Sequence, residues 1–151
     1  MPDGDTLLKL AAFDADDVTV ISAHLQDSVL TVRDIEYLQR QQKLVMIVKR
    51  FDWESAEERR ATYKRRLAGV QFAHVRSVRC RNIQQDSKDG VLMLLAVGFE
   101  PGDNPAGAIV LTFAGGGIMR LEVECIEVVV EDLGPEWETP RKPVHDEGEM
   151  G

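Results

Sequence analysis

The segment KLVMIVKR, residues 43–50, decides how the rest of the sequence is interpreted. Every residue from Leu44 to Val48 is apolar, so a strand formed here has no polar face. Such a strand is typical of the centre of a sheet that is covered on both sides. A second segment of the same kind, VLMLLAVGF, spans residues 91–99. We therefore predict that the two segments form the buried centre of a single sheet.

The chain before residue 43 predicts one early helix among short strands. Asp14 is suited to the N-cap of a helix in which Val18, Ile21 and Leu25 lie on one apolar stripe. Further strands are expected at residues 7–13, 29–32, 35–38 and 76–83. Residues 39–42 form a turn into the first apolar segment. These elements make a mixed chain in which strands dominate.

A hairpin is expected late in the sequence. Residues 108–113 and 118–124 are strand-like, and the glycine-rich residues 114–117 between them predict a tight turn. The turn leads into a strand instead of a helix, so its glycines do not form a dinucleotide-binding loop. Residues 125–133 fit a helical stripe, which we favour slightly. Three consecutive valines within them favour a strand as the alternative.

Together these elements predict an α+β domain. We expect a curved, mostly antiparallel sheet or half-open barrel of roughly seven short strands, with the early helix and a C-terminal capping helix, as in pleckstrin-homology-like folds. Residues 1–134 would form the globular domain. Residues 135–151, PEWETPRKPVHDEGEMG, have three prolines and no periodicity, which predicts a mobile polar tail.

The composition suits a soluble protein with one core. The chain has 151 residues, of which 44% are apolar. Its net charge of -8 opposes nonspecific binding to nucleic acid or anionic lipid. The N-terminal residues MPDGD do not resemble a signal peptide, and the longest apolar run is too short to span a membrane. We expect a cytoplasmic protein with no membrane partner.

Several ordered segments resemble one protein family. They are LAAFDADDVTVISAHLQDSV (10–29), VKRFDWE (48–54), RRLAGVQFAHVRSVR (65–79), LLAVGFEP (94–101) and IMRLEVECIEVVVEDLGPEW (118–137). Together they are similar to the alphaproteobacterial family of domain of unknown function 2948 (DUF2948). The resemblance implies a small bacterial cytoplasmic protein. It does not indicate which activity, cofactor or partner the protein has.

Residues 50–66 form a basic strip with two interpretations. Ser55 and Glu58 fit a capping box, and basic residues near the end of the strip complement the dipole of a helix beginning at Ala56. A well-solvated linking helix is therefore the favoured interpretation. The alternative is a contact surface, for which the candidate side chains are Trp53, Arg59, Arg60, Tyr63, Lys64, Arg65 and Arg66.

The identity of a partner follows from charge. Residues 49–81 hold ten of the eighteen basic residues with four acidic ones, so the rest of the chain carries 8 − 22 = −14. That charge repels phosphates, which disfavours nucleic acid despite the aromatic residues in the strip. A protein partner with an acidic face suits the strip equally well, and so does pairing of the strip with this protein's own acidic surface; a small ligand is a further alternative. We also expect a homodimer, because two-fold dimers are the most frequent soluble oligomers. No residue in the sequence identifies its interface.

Motifs for catalysis are sparse. Glu122 and Glu124 share one strand face, but Arg120 on the same face is a simple ion-pair partner. Cys80 and Cys125 lack metal-binding spacing and are predicted to be reduced thiols, with Cys80 on an inner face. No cofactor or metal is predicted. The favoured function is a non-enzymatic binding module; the alternatives are an RNA-associated protein and an enzyme whose site is assembled from loops.

Overall fold

A computed structural model describes residues 7–51 and 63–139, excepting the side chains of residues 63, 64 and 135–139. These residues contain one α-helix and ten strands. In chain order they are β1 (Lys9–Ala12), α1 (Ala15–Leu25), β2 (Ser28–Thr31), β3 (Ile35–Leu38), β4 (Lys43–Phe51), β5 (Tyr63–Phe72), β6 (Val75–Arg81), β7 (Val91–Pro101), β8 (Gly107–Phe113), β9 (Ile118–Val123) and β10 (Val128–Thr139). No helix among the described residues is long and apolar enough to cross a membrane.

All ten strands belong to one sheet, and each pairing between them is antiparallel. The order of hydrogen-bonded neighbours is β1-β10-β5-β4-β2-β7-β8-β9-β6, with β3 on the same side of β4 as β2. The sheet does not close, since this path ends at β1 and β6. The two apolar segments are β4 and β7, which flank β2, so the prediction that they share one sheet is confirmed.

The core lies between the inner face of the sheet and α1. Along β4, Leu44, Met46 and Val48 point inward and are buried, which is the period-2 pattern of a strand. Val18 and Ile21 of α1 join the same cluster. Burying a side chain of this size contributes about 1.5–3 kcal/mol, so alternation along many strands stabilises the fold.

The early helix and the late hairpin are confirmed. The Asp14 side chain accepts a hydrogen bond from the Asp17 backbone N–H at 2.8 Å, which identifies the predicted N-cap. The predicted hairpin is formed by β8 and β9. Gly115 in its turn has a φ of 87°, a left-handed conformation that glycine adopts without steric cost.

A sharp corner joins β5 to β6 and β9 to β10. His74 has a φ of 58° there, and backbone hydrogen bonds run from Ala73 N to Glu127 O and from Glu124 N to His74 O, each of 3.0 Å. The paired ribbon of β5 and β10 therefore continues beyond this corner as the ribbon of β6 and β9.

The helix predicted to begin at Ala56 is wrong where the structure describes it. Residues 63–72 form β5, which pairs with β4 on one side and β10 on the other. Arg66, Ala68, Val70 and Phe72 alternate inward along it. The backbone N–H and C=O groups of β5 therefore form hydrogen bonds with two neighbouring strands, whereas in a helix they would have bonded to one another. Residues 52–62, including the capping box, lie outside the described part of the chain.

The favoured C-terminal capping helix is also wrong, and the strand alternative is correct. Val128 and Val130 are buried at alternate positions of β10, as β-branched residues in a central strand often are. With ten strands instead of seven and no late helix among the described residues, the pleckstrin-homology-like architecture is not confirmed. β10 extends to Thr139, five residues into the segment predicted as a tail. Residues 140–151 lie outside the described part.

The outer face of β4 differs from expectation. Ile47 is 39% exposed and Lys49 is exposed, so this strand is not covered on both sides by the residues that the structure describes. The apolar segment of β4, residues 44–48, predicted burial on both faces, and within it only the side chains on the inner face are fully buried.

Candidate functional site

Of the seven predicted contact residues, the structure describes the side chains of two, Arg65 and Arg66. Trp53, Arg59 and Arg60 lie outside the described residues. Tyr63 and Lys64 belong to β5, and their side chains are not described. Arg65 is half-buried, whereas Arg66 is only 4% exposed. The Arg66 side chain is therefore buried, and a contact role for these candidates stays a prediction.

A buried ion pair lies at the end of the sheet beside Arg66. Arg50 donates from Nε to Asp132 Oδ1 at 2.8 Å and from Nη2 to Asp132 Oδ2 at 2.9 Å. The side chains are 1% and 0% exposed. Asp132 Oδ2 also accepts from the Leu8 backbone N–H at 2.8 Å. The carboxylate thereby connects β4, β10 and the residue before β1.

The surroundings of this pair are polar. Arg66 is the cross-strand partner of Arg50, and Ser28 and Asp27 are fully buried near the start of β2. The Ser28 hydroxyl has no hydrogen-bond partner among the described residues. Buried charges with matched partners mainly determine which strands meet, and removing one partner is costly. The geometry therefore assigns Arg50 and Asp132 a structural role at this end of the sheet.

Arg65 has an intermediate position. Its Nη1 donates to Asp27 O at 3.2 Å and to Lys49 O at 3.0 Å, and its guanidinium lies 5.8 Å from the centre of the Phe51 ring. Burial lowers the pKa of Arg65, and the nearby charge of Asp27 opposes that effect. Much of its hydrogen-bonding capacity is directed at this protein's own backbone.

Three exposed arginines lie close together in sequence on β6. Arg76, Arg79 and Arg81 are all exposed on a strand that pairs, among the described strands, with β9 alone. In the described part of the chain none of these three takes part in an ion pair. The predicted contact surface ended at Arg66 and did not include them. The segment RSVRCR, residues 76–81, had carried the signal, since it was predicted as a strand with arginine at three positions.

Arg120, directly opposite Arg79 on β9, is different because its charge is balanced. It donates from Nε to Glu122 at 2.8 Å and from Nη1 to Glu100 at 2.7 Å. Hydrogen bonds to Glu100 and Glu122 raise the pKa of Arg120. The predicted pairing of Glu122 with Arg120 is confirmed, and Glu124 lies beyond the end of β9. Three metal-binding side chains do not converge anywhere within residues 7–51 and 63–139.

The imidazoles and thiols are dispersed. His74 Nε2 lies 2.7 Å from Glu127 Oε1 at the corner described above, which is a local structural contact. Cys80 and Cys125 are free and half-buried, as reduced thiols. Burial raises the pKa of the Cys80 thiol, which opposes activation by the flanking arginines. These groups do not suggest a nucleophilic site.

Comparison with known proteins adds a family. The model of the family described as "Protein of unknown function (DUF2948)" matches residues 8–145, nearly the whole chain. Neither a curated protein nor a solved structure matches the sequence. A functional conclusion must therefore come from the geometry of the molecule.

Proposed function

The chain belongs to the DUF2948 family, and from that premise we propose that it is a non-enzymatic module that binds an acidic segment of a protein partner along β6. The observation that carries the proposal is the set of three exposed arginines on an edge strand. A protein with a net charge of -8 leaves Arg76, Arg79 and Arg81 without carboxylate partners in its described part. Unbalanced cations attract an anionic partner.

The strand edge supplies a second means of recognition. β6 pairs with β9 along one edge. On its other edge Val75 N donates to Gln42 O at 2.8 Å, and beyond this residue no described strand pairs with it. An extended segment adding to this edge would form backbone hydrogen bonds while its acidic side chains contact the arginines. Affinity and charge selectivity would then come from different groups.

A protein segment fits this surface better than nucleic acid does. Screening at physiological salt limits interactions between exposed charges to about 8 Å. A short acidic segment therefore experiences mainly the local field of β6. A polynucleotide extends further and meets the excess of 26 acidic over 18 basic residues in the chain. Because this excess of acidic residues repels a polynucleotide, a comparison with single-stranded RNA distinguishes the two kinds of partner.

The test measures fluorescence anisotropy of a labelled peptide of alternating glutamate and valine, with a glutamine and valine peptide of equal length as its neutral match. The purified full chain is expected to bind the glutamate peptide, and Arg79→Glu/Arg81→Glu should weaken that binding at least about tenfold. Arg33→Glu/Lys88→Glu makes the same change in net charge at exposed positions outside β6 and should weaken it much less.

Equal affinity for both peptides, or equal weakening in both double variants, would overturn the proposal. Binding of a random single-stranded RNA more tightly than the glutamate peptide, with loss in Arg79→Glu/Arg81→Glu alone, would assign the surface to nucleic acid instead. Arginines on an edge strand also discourage sheet-to-sheet aggregation. If that were their sole role, the wild-type chain would not bind the peptide, and the glutamate variant, whose edge is still charged, would stay as soluble as the wild type.

A further inference from the structure

The outer face of β4, β5 and β10 presents apolar side chains to solvent, on a surface separate from the β6 edge. Ile47 is 39% exposed and Leu133 is 50% exposed. Gly69 of β5 lies between them: a Cβ atom there would lie 3.6 Å from Leu133 Cδ1 and 3.9 Å from Ile47 Cδ1. The two side chains therefore converge over a residue that has none of its own.

Neighbouring residues extend this surface. Leu67, two residues before Gly69 on β5, is half-buried on the same face. Contiguous exposed apolar surface on a soluble protein indicates an interaction site. We call Ile47, Leu67, Gly69 and Leu133 the outer apolar face.

Charges flank the outer apolar face on opposite sides. Glu131 of β10 is the cross-strand partner of Gly69, and Lys49 of β4 is the partner of Leu67. Both charged side chains are exposed. Lys9 of β1, which is also exposed, is the cross-strand partner of Glu131 on its other side. An anion followed by a cation thus lies on the β10 side and a cation on the β4 side, with the apolar residues between them. A partner of uniform charge would meet repulsion at one of these positions.

We propose that the outer apolar face binds a second copy of the chain in a two-fold symmetric dimer. A two-fold axis lying in this face, crossing β5 between Gly69 and Leu67, superimposes the apolar centres of the two copies. It also brings Glu131 of each copy opposite Lys49 of the other. A surface that contains both members of a charge pair around an apolar centre complements itself, which is the requirement of an isologous interface.

The test is sedimentation equilibrium of the purified full chain over a wide range of concentration. The wild type is expected to reach twice its chain mass of 16.9 kDa. Ile47→Lys and Leu133→Lys should each raise the dimer dissociation constant at least about tenfold, since each places a charge in the apolar centre. Val20→Lys and Val91→Lys change side chains that are 51% and 58% exposed elsewhere, and should leave the constant unchanged.

A charge exchange tests the orientation independently of folding. Lys49→Glu should weaken the dimer, and adding Glu131→Lys to it should restore much of the affinity. Both residues are exposed, so this pair decides the question even if a lysine variant of the apolar centre fails to fold by circular dichroism. A wild type that stays monomeric at every concentration overturns the proposal. A dimer that none of the outer-face changes weakens overturns it equally.

Discussion

Arg50 and Arg79 come from the same basic stretch of sequence, yet the fold places them in opposite environments. Arg50 points inward at the end of β4 and holds Asp132 in a two-point contact from which solvent is excluded. Arg79 lies on an edge strand, exposed and without an ion pair in the described part of the chain. A stretch of sequence that is rich in basic residues therefore does not by itself indicate a basic surface. Strand alternation and sheet position decide which charges stabilise the fold and which can meet a partner.

The largest expected effect comes from removing the buried carboxylate. Asp132→Ala removes the carboxylate that the buried Arg50 contacts at two points, and it removes the acceptor of the Leu8 amide. The free energy of unfolding should fall by about 3–5 kcal/mol, measured by chemical denaturation. The double variant Arg50→Met/Asp132→Leu removes both charges and should lose less than Asp132→Ala does. A single variant as stable as the wild type would show that the two arginine environments are energetically alike.

Cys80 gives a smaller effect that separates the two faces of β6. Burial raises the pKa of this thiol in the folded state. Below the ordinary thiol pKa both states are protonated, and the contribution of Cys80 to stability is fully present. As the pH rises above that value the unfolded chain ionises first, so this contribution is lost. Cys80→Ser should therefore reduce the fall in unfolding free energy between about pH 8 and 10.

Thiol reactivity checks the same prediction. In a Cys125→Ser background, the remaining thiol should react with a disulfide reagent more slowly in the folded chain than in the chain unfolded by denaturant. Faster reaction in the folded chain would mean that Arg79 and Arg81 activate Cys80. The inner and outer faces of β6 would then not be electrostatically separate.

The smallest effect is expected from the exposed arginines. Arg79→Glu/Arg81→Glu should change the free energy of unfolding by no more than about 0.5 kcal/mol per substitution, because neither side chain has an ion pair to lose. Chemical denaturation of this variant and of Asp132→Ala in the same assay compares the exposed arginines of β6 with the buried pair of Arg50 and Asp132. A large loss would assign the β6 arginines to folding and remove the reason for regarding them as a contact surface.

Local signals in the sequence predicted the elements that local interactions determine. The helix with Asp14 at its N-cap depends on a side-chain bond over three residues, and the β8–β9 hairpin depends on glycines in its turn. Both were identified correctly. The two apolar segments were likewise placed in one sheet, because their hydrophobicity requires burial in any arrangement.

Long-range pairing explains what the sequence did not reveal. The end of the basic strip satisfied the helix criteria of capping and charge order, whereas β5 forms because β4 and β10 are both available to it. β10 was obscured in the same way, since its helical stripe competed with valines that favour a strand. The same difference explains the burial of Arg66: a helix would have kept its side chain solvated, and the strand turns it inward.

The position of β10 between β1 and β5 has a consequence for synthesis on the ribosome. The first described strand is hydrogen-bonded to the last described strand, so β1 lacks this partner until residues 128–131 have been translated and have left the exit tunnel. Until then β5 also presents an open edge to other nascent chains. A chain that stops short of Val128 would therefore expose two unpaired edges and be prone to aggregate.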